Sequence, residues 1–214
     1  MNVRKRTIAA IVVNIAVIVM EIAGFILSYQ ANGPTLIRFY TEDSNLLTAV
    51  ACIICAASLI RSLKSGEPVS RGVHLLKYIA MSCLAVTFFV VIFVLAPMME
   101  SVGYAGYKIM LFHGSMLYMH LLCPVVAIGG FIWLENEPYL EKKCIRYALI
   151  PTLIYAAVTT TLNIVRLLDG PYPFLRVHNQ AWYMSVIWIA VIIGLAALLA
   201  WIIWRILDKK AGAH

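Results

Sequence analysis

The stretch FYTEDSNLLTAVACIICAASLI, residues 39–60, opens with five polar residues in succession, Thr41, Glu42, Asp43, Ser44 and Asn45, and then turns oily. The apolar part is long enough for a bilayer-spanning helix. The five polar residues therefore either sit outside the membrane and cap that helix, or face a wet cavity within it. The first choice leaves a plain membrane span. The second makes the start of the helix a candidate site.

The rest of the chain carries the same oily character. Hydrophobic residues make up 63% and charged residues 13%, with a mean hydropathy of +0.89; a soluble domain has roughly 45–50% and about 25%. Five further breaks, at ANGP (31–34), SLKSGEPVSRG (62–72), Pro97 to Gly106, ENEPYLEKK (135–143) and DGPYP (169–173), punctuate the apolar runs. The spacing predicts an all-α membrane protein, a single bundle of six transmembrane helices over about 7–29, 38–62, 73–97, 111–134, 145–167 and 182–206. MNVRKR followed by a long apolar run reads as a retained first helix rather than a cleaved leader.

All but Arg38, Lys108, Arg166 and Arg176 of the 17 Lys and Arg residues fall on one set of helix ends, so both termini are expected to be cytoplasmic. This placement, and not nucleic-acid binding, accounts for the net charge of +7. The five cysteines lie in or beside apolar runs and read as packing residues, with no disulfide framework.

This topology gathers polar side chains in the outer half of the bundle: Thr41 to Asn45 on helix two, His113 and His120 on helix four, Thr159, Asn163 and Arg166 on helix five, and Glu21 on helix one. Asn14 is the main polar residue expected in the inner half. His113 and His120 are seven apart, so a continuous helix puts them on one face. A hydroxyl, an imidazole, carboxylates and a guanidinium at one depth suit acyl transfer: Thr41 as nucleophile, His120 as its base, and Asn45 or free N–H groups on the oxyanion. Ser44, Glu42, Asp43, His113, Asn163, Arg166 and Glu21 are candidate pocket residues, with Arg166 as a head-group holder. Thr41 also reads as a helix N-cap, and His120 as a core histidine. A zinc site on His113, His120 and Glu42 or Asp43 is a rival that the seven-residue spacing, about 10 Å along a helix, disfavours; no cofactor is expected. A small-solute or proton-coupled transporter and an assembly protein are the rivals from other classes.

Three local patterns carry a resemblance over nearly the whole chain. FYT at 39–41 within TEDSNLL, MHLLCP at 119–124 and YPFL at 172–175 resemble segments of the six-helix androgen-induced protein family and its bacterial relatives. The animal members are intramembrane threonine hydrolases of fatty acid esters of hydroxy fatty acids. The resemblance implies Thr41 as nucleophile, His120 as base, a lipid substrate and a multi-pass place in a bacterial cell membrane; the oligomeric state stays open. The chain departs from the family in two respects. His120 reaches Pro124 in four residues where the animal motif takes five, and the residues after Thr41 are more acidic.

Overall fold

The computed structural model describes residues 2–135 and 140–211, so part of the expected 135–143 break lies outside the described residues. Among the described residues there is no strand, and six helical segments are long and apolar enough to cross a membrane. They are formed by α1 (Val3–Asn32), α2 (Tyr40–Ser65), α3 (Arg71–Val90) with α4 (Ala96–Ser101), a fourth span ending in α6 (Cys123–Leu134), α7 (Cys144–Ile164) and α8 (Trp182–Ala211). A short helix, α5 (Gly106–Phe112), lies between the third and fourth spans.

The ends of these helices follow from local chemistry. The Asn2 side chain accepts from the Arg4 N–H at 3.1 Å and caps α1. Gly66, at φ 76°, closes α2 in the left-handed conformation and donates its N–H to the Ser62 carbonyl. Between α3 and α4 the chain widens into a π turn, Val91–Leu95, immediately before Pro97. Pro97 lacks an N–H and crowds the preceding turn, and the wider turn absorbs this without ending the span.

The bundle is apolar outside and polar along parts of its interior. On α1, Ile8, Val12, Ile15, Val19, Ile22 and Ile26 are exposed, while Asn14, Glu21 and Ser28 are buried at seven-residue intervals. Exposed apolar stripes of this kind face lipid. The third span is central: α3 packs against α2, α6, α7 and α8, and Tyr78, Met81 and Leu84 are fully enclosed.

Two expectations are corrected. The fourth helix is not continuous over 111–134. α5 stops at Phe112, His113 is extended, Gly114 has φ 55°, and a π segment, Leu117–Leu122, precedes α6. The half expected to be inner is also far from empty of polar groups. Lys77, which the sequence placed among the topology-setting charges at helix ends, is buried. Its ammonium donates to Asn14 Oδ1 at 2.6 Å, contacts Cys52 Sγ at 2.8 Å and lies 3.7 Å from Glu135 Oε1. Asn14 and Cys55 donate to the two oxygens of the same carboxylate at 3.0 and 3.3 Å. Arg6 binds the carbonyls of Leu134 and Glu135, and Lys210 that of Ile132. The start of α1 and the end of α8 thus meet the end of α6, at the end of the bundle opposite Thr41.

Candidate functional site

The start of α2 presents Thr41 without spending its hydroxyl. Phe39 occupies the N-cap position and offers no side-chain cap, and Thr41 is the second helical residue. The capping role that its sequence allows is therefore not what its side chain does. The Thr41 carbonyl accepts from Ser44 Oγ at 3.0 Å and from Asn45 Nδ2 at 2.7 Å. Asn45 Nδ2 also donates to the Met119 carbonyl at 3.3 Å, beside His120. Asn45 thus ties the first turn of α2 to the segment carrying the histidine, and its N–H groups are already engaged.

The break in the fourth span orients His120. The last carbonyls of a helix lack intrahelical partners, and Met110 lies in the last turn of α5. Its carbonyl oxygen is 2.8 Å from His120 Nδ1. A carbonyl can only accept, so Nδ1 carries the proton and Nε2 keeps its lone pair. Nε2 lies 3.2 Å from Thr41 Oγ1, and both side chains are buried. The Thr41 O–H therefore donates to a neutral imidazole that is held in the correct tautomer. Such an arrangement could serve as a nucleophile, its base and the group that orients the base. His120 sits on the π segment Leu117–Leu122, a local widening that recurs at functional sites.

Tyr172 closes the site from the loop between α7 and α8. Its hydroxyl accepts from the Thr41 N–H at 3.3 Å and lies 3.5 Å from Thr41 Oγ1. The ring stacks on Phe174 at 5.3 Å and meets Phe39 edge-on at 6.1 Å. Burial pushes the Tyr172 phenol up to about 12, so it keeps its proton at neutral pH. With the Thr41 hydrogen directed at His120, the Tyr172 O–H is the donor in the 3.5 Å contact with Thr41 Oγ1, so it points at the oxygen that would attack.

Two cavities meet at Thr41, Leu95 and Tyr172. A chamber of 430 Å³ is bounded by His120, Glu42, Phe39 and methionines of α4, α5 and the π segment. A slot of 50 Å³ runs between α3, α7 and α8, lined by Val86, Val90, Tyr155, Trp188 and Ile192. Glu42 is buried, and its Oε1 accepts from Ser28 Oγ at 2.7 Å.

The remaining sequence candidates are dispersed. Asp43 and Ser44 line a separate cavity of 400 Å³ with Arg38 and Thr159. His113 is exposed at the helix break, and Arg166 is exposed beyond α7 at φ 60°; neither lines the chamber or the slot. Asn163 clamps the following loop, donating to the Leu168 carbonyl at 2.7 Å and accepting from the Val177 N–H at 2.8 Å. Glu21 is buried at mid-depth against the Cys123 thiol, with no nitrogen or oxygen partner for either carboxylate oxygen. No group of three His, Cys, Asp or Glu residues suited to a metal ion occurs among the described residues. The sequence reading did not include Tyr172 or the Met110 carbonyl in the site. YPFL gave a signal for the tyrosine, whereas nothing marks a backbone carbonyl in advance.

Comparison with family models, curated proteins and solved structures returned no match to this chain.

Proposed function

We propose that the chain is an intramembrane hydrolase of lipid esters, a class that includes fatty acid esters of hydroxy fatty acids. The observation that carries this reading is the 3.2 Å contact between Thr41 Oγ1 and His120 Nε2, with Nδ1 anchored on Met110. Thr41 attacks the ester carbonyl as His120 takes its proton. The oxyanion forms beside the Tyr172 hydroxyl, which donates to it. When the tetrahedral centre collapses, the C–O bond to the alcohol breaks and His120 returns the proton to the leaving oxygen. Water, deprotonated by His120, then attacks the acyl-Thr41 ester, and the acid departs as Thr41 recovers its proton. The positive-inside pattern supports a site in the non-cytoplasmic half of the membrane.

The test is covalent labelling of the purified protein in detergent with a fluorophosphonate, followed by mass spectrometry. The expected result is a single label on Thr41 that is lost in Thr41→Ala and His120→Ala. A folded protein that stays unlabelled and turns over no ester overturns the proposal. A proton-coupled transporter is the other reading, favoured by one observation: Glu21, buried at mid-depth with only the Cys123 thiol beside its carboxyl, lies along α1 between Ser28 at the site and Asn14 in the Lys77–Glu135 cluster. Solute-dependent proton flux in liposomes, abolished by Glu21→Gln, is what that reading requires.

A further inference from the structure

Taking Thr41 and His120 as a hydrolytic pair, we infer that the site selects esters by charge: it accepts a neutral or quaternary-ammonium arm and turns away one that ends in a free carboxylate. The inference rests on the hydrolase reading and narrows its substrate class, leaving out fatty acid esters of hydroxy fatty acids, whose hydroxy-acid arm ends in a free carboxylate.

Glu42 follows the nucleophile directly in sequence, is buried, and is held by Ser28 from α1. It is the one carboxylate among the described residues that line either cavity touching Thr41. Neither cavity has a Lys or Arg among its described lining residues. Arg38 lines the separate cavity beside Asp43, and Arg166 and Arg176 are exposed. A carboxylate entering the chamber would lose its water, find no cation and approach Glu42. Burial of an unpaired charge and juxtaposition of like charges both oppose that. The N-terminus of α2 attracts anions in principle, but Glu42 and Asp43 already occupy its first turn. The Thr41 N–H there is directed to Tyr172.

The same wall suits a soft cation. Phe39 and Tyr172, in edge-to-face contact with each other, both line the chamber that Glu42 borders. Aromatic faces with a carboxylate nearby hold quaternary ammonium groups. The surrounding thioethers of Met98, Met99, Met110, Met116 and Met119 adapt to irregular apolar shapes.

The experiment compares three p-nitrophenyl alkanoates of equal chain length whose far ends carry methyl, trimethylammonium or carboxylate. Turnover is measured with purified protein in an uncharged detergent. The expected kcat/KM for the carboxylate ester is about tenfold or more below that for the methyl ester, and the trimethylammonium ester matches or exceeds the methyl ester. Glu42→Gln narrows the gap between the carboxylate and methyl esters, and Phe39→Leu lowers the trimethylammonium ester relative to the methyl ester. Equal or faster turnover of the carboxylate ester by the wild-type protein overturns the inference while leaving the hydrolase reading intact. If Glu42→Gln does not fold, the wild-type order alone decides. Turnover of none of the three, with Thr41 unlabelled by fluorophosphonate, overturns both.

Discussion

At the scale of single residues, the site depends on which atoms remain free. Thr41 makes no cap, so its hydroxyl is available. His120 spends Nδ1 on a carbonyl, so Nε2 keeps its lone pair for the Thr41 hydroxyl. Under the hydrolase reading, Thr41→Ala is expected to abolish ester turnover and Thr41→Ser to retain part of it. His120→Gln should lower kcat by about 10²–10⁴, the usual worth of a positioned base. Tyr172→Phe should lower kcat by about 10²–10³ if the phenol serves the oxyanion. Steady-state kinetics on one neutral ester checks all three. Thr41 and His120 were legible as candidates because a hydroxyl and an imidazole are costly within hydrocarbon without a purpose. Arg166 and His113 satisfied the same rule of thumb but lie outside the chamber. Sequence gives depth along a helix well and rotation about it poorly, and at a helix break it gives neither.

At the scale of elements, the decisive feature is the interruption of the fourth span. A reader assuming 3.6 residues per turn through 111–134 puts His113 under His120. The extended His113, the positive φ of Gly114 and the π segment Leu117–Leu122 undo that register. The geometry also depends on Gly106 at the start of α5. A Cβ there would lie 2.1 Å from the Ala96 carbonyl oxygen and 2.9 Å from Met99 Cβ, so α4 and α5 approach to a distance that only glycine permits. Gly106→Ala is therefore expected to destabilise the protein by about 1–3 kcal/mol and to move the Met110 carbonyl away from His120. A fall in thermal midpoint together with a fall in kcat is the expected pair of readings. Deleting one residue from the π segment should restore a regular helix and rotate His120 by about 100°. Circular dichroism should then show an unchanged helical content, with turnover lost. Nothing in MHLLCP announced the π turn beyond Pro124, which follows it.

At the scale of the whole molecule, the span count was legible from apolar runs and their breaks, because a bilayer demands a fixed length of apolar helix. The inner polar cluster was not. Lys77 lies one residue pattern away from a flanking charge, and only the packing of α1, α2 and α6 around α3 encloses it. Its partners come from three other spans: Asn14, Cys52 and Glu135. Lys77→Met alone should cost about 3–5 kcal/mol by stranding the Glu135 carboxylate. The double variant with Glu135→Gln should recover part of that loss, as read from thermal unfolding in detergent.

The same cluster sets an order for biogenesis. The ribosome completes α3 well before it makes Glu135, so for that interval the Lys77 ammonium has no counter-charge to follow into lipid. α3 is therefore expected to wait at the translocation channel or the membrane rim until α6 emerges. A nascent chain truncated before α6 should leave α3 accessible to protease in microsomes, and replacing Lys77 with leucine should let it partition without waiting.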